Sequence, residues 1–188
     1  MHDNLINPLS KSSSVLVGGQ ELSFRPMTRE DHEAVKAFVQ SLPEEDLLFL
    51  SLDITRPEAI SQWIDEIEAG RATTILAVVD ESIVGYASLY YNQLRWMRHL
   101  GEIRIQVSPM RRGLGLGKLL IDKIFAIAQT LSLRKVIAQM PTEQHGAVQV
   151  FDRLGFKAEA LLADHVIDRE NRTHDLIVMS FDITGFTS

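Results

Sequence analysis

The most informative stretch of this 188-residue chain is a glycine-rich segment with three basic residues, Val107-Ser-Pro-Met-Arg-Arg-Gly-Leu-Gly-Leu-Gly-Lys118. Its alternating glycines remove the Cβ atoms that would keep a ligand away from the backbone. A strand pattern precedes the segment and an amphipathic helix pattern follows it, so N–H groups of the turn and the first helical turn should point outward, where the helix dipole favours an anion. The positive charges come from Arg111, Arg112 and Lys118. These features predict a phosphate-binding loop.

Two common phosphate loops do not fit this segment. The Walker A loop fails because Gly113 and Gly117 are one residue too close, and Leu119 replaces the metal-binding hydroxyl. The dinucleotide-binding spacing Gly-x-Gly-x-x-Gly fails because the third glycine comes one residue early and the segment lies in the middle of the chain. The spacing that remains is Arg-x-x-Gly-x-Gly, formed by Arg112, Gly115 and Gly117.

This spacing resembles the acetyl-CoA pyrophosphate loop of the GNAT superfamily of N-acetyltransferases. Four other segments are similar to the family and occur in its order, so that the resemblance covers roughly residues 22–183. These segments are Phe24–Asp31, Ile83–Ala87, Gln144–Ala147 and Phe151–Phe156. The resemblance implies an α/β fold with a mixed, largely antiparallel sheet of six to seven strands and helices on both faces. It also implies direct transfer of an acetyl group from the cosubstrate acetyl-CoA to a primary amine on a small molecule or a protein.

The resemblance further implies where the cosubstrate binds. Backbone groups of Ile105, Gln106 and Val107 would contact the pantetheine arm and the acetyl carbonyl. Gln144 stands where the family commonly has Asn, and its amide would serve the pantetheine or a nearby backbone group. The pyrophosphate would lie on the backbone N–H groups of Arg112, Gly113, Leu114, Gly115, Leu116, Gly117 and Lys118.

Phe151 is the clearest departure from the family pattern, because it occupies the position of the Tyr that usually protonates the departing CoA thiolate. An active enzyme would then need another donor, such as Tyr90, Tyr91 or an ordered water. The alternative is a catalytically weak GNAT-fold protein that serves as an acyl-CoA sensor or a partner-binding module. A third hypothesis is an acyltransferase for longer or different acyl groups.

Glu102 is the best candidate for the general base, since it lies on the strand that leads to the loop. A one-residue change of register would place it on the other face of the sheet. The competing interpretation is an exposed strand carboxylate paired with Arg104. Asp164 and His165 form a second acid–base candidate near the end of a later strand.

The composition excludes several other classes of site. The chain has no Cys, which excludes disulfides, thiolate metal sites and a thiol acyl-enzyme, and no Ser lies on a nucleophile-elbow turn. None of its six His residues shows paired ligand spacing on a helix, although His165 and His174 could meet across a hairpin. We therefore expect no metal.

The charge and hydropathy pattern predicts a cytoplasmic protein. There are 19 Lys and Arg against 25 Asp and Glu, and a net charge of −6 argues against general nucleic-acid binding. No apolar run reaches the roughly 20 residues of a membrane span, and no secretory signal is expected. We predict a flexible arm at residues 1–19 and one acetyltransferase domain at residues 20–188. A homodimer is compatible with the sequence.

The elements that must position these residues follow from hydrophobic periodicity. Helices are predicted from the Thr28 cap to Pro43, from about Pro57 to Ala69, along the Leu116–Leu131 stripe, and over Glu143–Arg153. Strands are predicted at Glu21–Arg25, Thr74–Val79, Ile83–Tyr91, about Leu100–Val107, Lys135–Gln139, Phe156–Leu162 and Asp175–Phe181. The acceptor wall should lie in residues 41–70, where Glu44–Asp46 are either a cation-attracting patch or an ordinary helix-end cluster.

Overall fold

Eight strands form one sheet in the computed structural model, which describes residues 13–17, 19–47, 52–94 and 96–184. The strands are β1 (Ser13–Val17), β2 (Gln20–Pro26), β3 (Ala72–Val79), β4 (Ser82–Tyr91), β5 (Leu100–Val107), β6 (Lys135–Pro141), β7 (Lys157–Ile167) and β8 (Thr173–Asp182). Their order across the sheet is β1-β2-β3-β4-β5-β6-β8-β7. All neighbours are antiparallel except β5 and β6, which are parallel. The predicted mixed, largely antiparallel sheet is confirmed.

Five helices connect the strands within the described residues. They are α1 (His32–Gln40), α2 (Glu44–Leu47), α3 (Pro57–Glu68), α4 (Leu116–Thr130) and α5 (His145–Arg153), with short 3-10 turns at Arg29–Asp31 and Pro109–Arg111. The predicted capping box before α1 is present, since the Asp31 carboxylate accepts the Thr28 N–H at 2.8 Å. Pro57 begins α3, as its fixed φ angle favours.

The helices cover both faces of the sheet, as predicted. On one face, α1 and α3 pack their apolar stripes against Leu76, Val78 and Tyr86. On the other face, α4 packs against Ile75, Ala77 and their neighbours in β4 and β5. Because successive strand residues point to opposite faces, alternate residues of β3 belong to two separate hydrophobic cores. No helix among the described residues is long and apolar enough to span a membrane.

The sheet has one strand more than the predicted six to seven, because Ser13–Val17 was expected in the N-terminal arm. This segment forms β1 by pairing with the open edge of β2, in the register Val15 to Leu22. Val17 also packs against the core on the α4 side. The signal in the sequence is only three apolar residues long, and the pairing partner supplies the rest. Residues 1–12 of the predicted arm lie outside the described residues.

Candidate active site

A gap opens between the parallel strands β5 and β6. Their pairing begins at Leu100 with Lys135 and ends at Glu102 with Ile137. Beyond this point β5 continues beside β4 as far as Val107, while β6 continues beside β8 as far as Pro141. The sheet is therefore continuous at one end and splayed at the other, so that backbone of β5 is left without a strand neighbour.

The register of β5 decides which backbone groups face this gap. On one side, the Ser108 N–H donates to Val84 O of β4 at 2.9 Å. On the other side, His99 O accepts the N–H of Arg134 at 2.8 Å. Because backbone groups of successive strand residues point to opposite neighbours, the odd-numbered Ile105 and Val107 face the gap.

Gln106 has the opposite orientation, which corrects the expectation for this residue. It pairs with Tyr86, so its N–H and C=O belong to the ladder with β4 and are not available to a ligand in the gap. Its side chain lines a cavity on the α3 side of the sheet instead. Ile105 and Val107, the other two predicted backbone contacts, direct their N–H and C=O groups toward the gap, beyond the end of the pairing with β6. Among these groups, Val107 O accepts a hydrogen bond from Arg112 Nε at 3.3 Å.

The glycine-rich loop joins β5 to α4 at the open end of the gap. Gly113 and Gly115 have φ angles of +75° and +83°, which L side chains rarely adopt, and Gly115 is the N-cap of α4. The first bond of the helix joins the Leu119 N–H to Gly115 O at 3.2 Å. The N–H groups of Leu116, Gly117 and Lys118 therefore have no acceptor within the helix. The side of Gly117 is open, since a Cβ there would meet only Ile105 Cδ1, at 3.9 Å.

Three basic side chains surround this loop, as predicted. Arg111 donates to Gln20 Oε1 at 2.5 Å, and Lys118 pairs with Asp122 at 2.8 Å. Arg112 forms an ion pair with Asp46 of α2. These contacts are exposed or partly exposed, and such pairs contribute little to stability. The cations can therefore turn to an anion on the loop at small cost.

A cavity of about 380 Å³ lies where the gap meets the face of the sheet that α3 covers. Its floor consists of six side chains in register on two strands, which we call the cavity floor: Tyr86, Ser88 and Tyr90 of β4 opposite Gln106, Arg104 and Glu102 of β5. Trp63 of α3 and Asp46 of α2 line the wall, and Val166 and Ile167 of β7 line the far side.

Glu102 is on the cavity face of β5, and it is also paired with a cation. Its Oε1 accepts the Arg104 Nε–H at 2.8 Å, and about a quarter of its side chain is exposed. The guanidinium carbon of Arg104 lies 4.2 Å from the centroid of the Tyr90 ring. Glu102 therefore fits both interpretations. Its side chain lines the cavity, as a general base requires, and it is paired with Arg104, as the competing interpretation predicts.

Tyr90 and Tyr91, both considered as proton donors, lie on opposite faces of β4. Tyr90 lines the cavity, whereas Tyr91 packs on the α4 side with its hydroxyl 3.5 Å from Thr73 Oγ1. Burial raises the pKa of Tyr90 to about 12, against a smaller lowering effect of Arg104. The phenol of Tyr90 is therefore protonated at neutral pH, and it faces the cavity.

Gln144 and Phe151 both line the cavity from α5. Gln144 is the N-cap of this helix. Phe151 is only 5 % exposed and packs edge-to-face on Phe156, with ring centroids 4.9 Å apart. The cavity wall at Phe151 is therefore apolar and offers no proton.

A buried polar chain beside the cavity was missed in the sequence. Trp63 Nε1–H donates to Thr74 Oγ1 at 3.0 Å, and that hydroxyl lies 2.8 Å from Ser88 Oγ. All three side chains are buried. The available signal was a hydroxyl side chain at Thr74 and at Ser88 within two largely apolar strands, and this pattern by itself identifies no hydrogen-bond partner.

Two other predicted candidates, Asp164 and His165, are not among the residues that line the cavity. Asp164 and His165 fall inside β7, which runs to Ile167 rather than ending at Leu162, and Asp164 accepts a bond from Thr173 Oγ1 at 2.7 Å. The register pairs His174 with Val166, not with His165. Across the described ranges, no group of three or more His, Cys, Asp or Glu side chains is arranged to hold a metal ion.

His174 instead joins two carboxylates. Its Nδ1 lies 2.9 Å from Glu143 and its Nε2 lies 2.8 Å from Asp168, and contact with the two carboxylates raises its pKa. The Asp168 carboxylate is buried, which would raise its pKa, but bonds from the Arg172 backbone, His174 and the Arg172 side chain lower it well below the usual range. The network ties the β7–β8 hairpin to the segment that begins α5.

A sequence model of the acetyltransferase (GNAT) family matches residues 36–156. No curated protein matches the chain. A GNAT-family acetyltransferase from Streptococcus pneumoniae aligns with a TM-score of 0.71 at 23 % identity, over 86 % of this chain and 99 % of that one. A ribosomal-protein-alanine N-acetyltransferase from Brucella melitensis aligns with a TM-score of 0.73 at 22 % identity, over 85 % and 98 %.

A third similar structure is an acetyltransferase from Salmonella typhimurium, solved with its cofactor acetyl-CoA. It has a TM-score of 0.71 and 17 % identity, and the alignment covers 89 % of this chain and 96 % of that one. At these identities the likeness concerns the fold.

Proposed function

The chain belongs to the acetyltransferase (GNAT) family, and we propose that it binds acetyl-CoA in the β5–β6 gap. As an N-acetyltransferase with acetyl-CoA as its cosubstrate, it would then acetylate a small primary amine held over the cavity floor. The observation that carries this proposal is the continuity of three features. The loop with unpaired helical N–H groups, the free backbone of β5 and the cavity of about 380 Å³ adjoin one another.

The loop suits the pyrophosphate of acetyl-CoA. The N–H groups of Leu116, Gly117 and Lys118 lie at the positive end of the α4 dipole, and Arg112 stands at the entrance to the gap. Open space beside Gly117 allows a phosphate to approach the backbone. Ile105 and Val107 then have backbone groups to bind the pantetheine amides and the acetyl carbonyl.

In the proposed reaction, the neutral amine nitrogen attacks the thioester carbon. The N–C bond forms, a tetrahedral oxyanion results, and the C–S bond then breaks to release CoA. Backbone N–H groups of β5 that face the gap would stabilise the oxyanion. Because amines with a pKa near 10 are mostly protonated at neutral pH, Glu102 takes the proton from the amine. When the C–S bond breaks, Tyr90, whose phenol is protonated at neutral pH, donates its proton to the CoA thiolate and takes up the second proton that the attacking nitrogen loses.

The size of the cavity supports a small-molecule acceptor. Cavities of about 300–1,000 Å³ typically hold small ligands, and this one of about 380 Å³ must also take the end of the pantetheine arm. The Brucella melitensis structure is of an enzyme named for ribosomal-protein alanine, but a likeness of fold does not transfer that acceptor. A protein lysine or N-terminus is therefore the competing acceptor.

A two-step experiment tests this function. Titration calorimetry with acetyl-CoA should give saturable binding, and a thiol assay should then detect CoA release with at least one small primary amine from a panel. Release only with peptides would overturn the acceptor assignment. Saturable binding with no release from any amine would support the catalytically weak acyl-CoA sensor instead, and competition by longer acyl-CoA thioesters would support a different acyl donor.

A cytoplasmic location and a homodimer stay predictions. The outer strands β1 and β7 expose large apolar side chains at Leu16, Leu161 and Ile167, which is compatible with association. Analytical ultracentrifugation of the full chain would measure the oligomeric state, and a sedimenting species of one chain would contradict the dimer.

A further inference from the structure

Arg104 is the only basic residue among the described side chains that line the cavity. The two acidic residues of the lining are Asp46, which pairs with Arg112 outside the floor, and Glu102, which pairs with Arg104. The cavity floor therefore presents one positive and one negative group side by side. A floor built only to attract a cationic amine would not need the guanidinium.

The guanidinium of Arg104 is held in a fixed orientation by its neighbours. Its Nε–H donates to Glu102 at 2.8 Å, and its carbon lies 4.2 Å from the centroid of the Tyr90 ring. Roughly a third of the side chain is exposed, toward the cavity. The bond to Glu102 uses the Nε–H, and a further donor interacts with the Tyr90 hydroxyl, so that most of the four N–H donors on the two terminal nitrogens are left for a ligand.

A planar guanidinium edge with two terminal nitrogens binds a carboxylate through two parallel hydrogen bonds, and stacking on an aromatic ring reduces the entropy that such binding costs. Arg104 immediately precedes Ile105, whose backbone faces the gap. A small molecule can therefore have an acidic group on the guanidinium and an amine near the thioester.

We propose that the acceptor is a small amine that also carries a carboxylate, as in an amino acid, and that Arg104 binds that carboxylate. The inference rests on the proposed N-acetyltransferase function and names its substrate class. In the bound state, the acceptor carboxylate lies on Arg104, and the acceptor amine lies beside Glu102. A purely cationic amine would be repelled by the guanidinium and gain little from a carboxylate that is already paired.

The test compares each acceptor with its own amide. Glycine, L-alanine, L-methionine and L-phenylalanine, each paired with its carboxamide, are assayed for CoA release with saturating acetyl-CoA. The amide has nearly the same shape and a less basic amine, so the chemical step alone favours the amide. We expect at least one amino acid to exceed its amide by tenfold or more in kcat/KM, chiefly through a lower KM.

Substitution then assigns the preference to the arginine. Arg104→Gln should bring the ratio of acid to amide close to one, and Arg104→Lys, which keeps the charge without the fork, should retain part of it. Arg98→Gln, at an exposed arginine outside the cavity lining, should keep the full preference. Binding of acetyl-CoA, measured by calorimetry, confirms that each variant is folded.

The possible outcomes separate this inference from the function beneath it. Equal use of acids and amides by the unmodified protein, or an Arg104→Gln variant that keeps the preference, would overturn the inference alone. If Arg104→Gln lowers kcat/KM equally for the amino acids and their amides, the arginine only supports Glu102, and the inference is likewise overturned. Saturable acetyl-CoA binding with no CoA release from any amine would overturn the proposed function and this inference together.

Discussion

Tyr90 and Glu102 lie directly opposite each other across the antiparallel pair of β4 and β5, on the face that forms the cavity floor. Arg104 joins them, because it donates to the carboxylate and stacks on the phenol ring. A phenol, a carboxylate and a guanidinium are thus gathered on two adjacent strands beside the β5–β6 gap, and the proposed function uses the first two as proton donor and base.

Tyr90→Phe tests the proposed proton donor. Removing the hydroxyl should lower kcat by about 100-fold or more, the usual contribution of general acid catalysis, with little change in the Kd for acetyl-CoA. Tyr91→Phe is the matched control, since Tyr91 is the next residue but lies on the opposite face with its hydroxyl toward Thr73. Steady-state kinetics of the two variants decide the assignment, and an equal effect of both would contradict it.

Phe151→Tyr restores a hydroxyl at the position where the family usually has one. If proton supply to the thiolate limits turnover, kcat should rise, and calorimetry should give an acetyl-CoA Kd within about twofold of the unmodified protein. Phe151 also contacts the core through Phe156, and a hydroxyl buried there without a partner would cost about 1–3 kcal/mol. A lower thermal midpoint with unchanged kcat would show that the hydroxyl points into the core and would refute the expectation.

Gly117→Val tests the phosphate-binding loop. Its φ angle is helical, and a Cβ would meet only Ile105 Cδ1 at 3.9 Å, so the fold should be kept. The added side chain occupies the space where a phosphate approaches the backbone, so the Kd for acetyl-CoA should rise at least tenfold. Calorimetry measures the affinity, and circular dichroism checks the fold. An unchanged affinity in a folded variant would reject the loop assignment.

His174→Gln tests the ion network that joins the β7–β8 hairpin to the start of α5. Contacts with Glu143 and Asp168 raise the pKa of His174 above its usual value near 6.5. Its contribution to stability is therefore complete below the pKa of the unfolded chain and is lost as pH rises through the higher folded pKa. When thermal midpoints are measured from pH 5.5 to 8.5, the midpoint of the variant should lie below that of the unmodified protein mainly at the acidic end. A constant difference across this range would contradict the prediction.

Thr74→Val tests the buried polar chain of Trp63, Thr74 and Ser88. The change keeps the shape but removes the acceptor of the Trp63 Nε1–H, and a buried unpaired donor costs about 1–3 kcal/mol. Urea unfolding should show this loss. Thr73→Val, at the neighbouring and only half-buried position, should have a smaller effect, and equal losses at the two positions would argue against the chain.

Local patterns in the sequence were sufficient for most of the fold. The apolar stripe of α4, with Leu116, Leu120, Ile124 and Ile127, is buried as its helical spacing predicts. The eighth strand was not predicted, because its three apolar residues give a weak pattern and its pairing with the edge of β2 is a tertiary contact. The end of β7 was placed five residues early for the same reason, since β8 extends it by pairing.

The sequence by itself determined the family and the cosubstrate, because the glycine and arginine spacing of the loop occurs together with four further segments in the order of the family. The turn into α4 also follows from local sequence, since Gly113 and Gly115 adopt the positive φ angles that glycine favours, and its binding of a pyrophosphate stays a prediction. Only the tertiary structure decided which strand residues face the gap and the cavity. It turned the backbone of Ile105 rather than Gln106 toward the gap, and the side chain of Tyr90 rather than Tyr91 into the cavity. The physical reason is that strand residues alternate with a period of two, so pairing between distant segments sets a register that no short window of sequence contains.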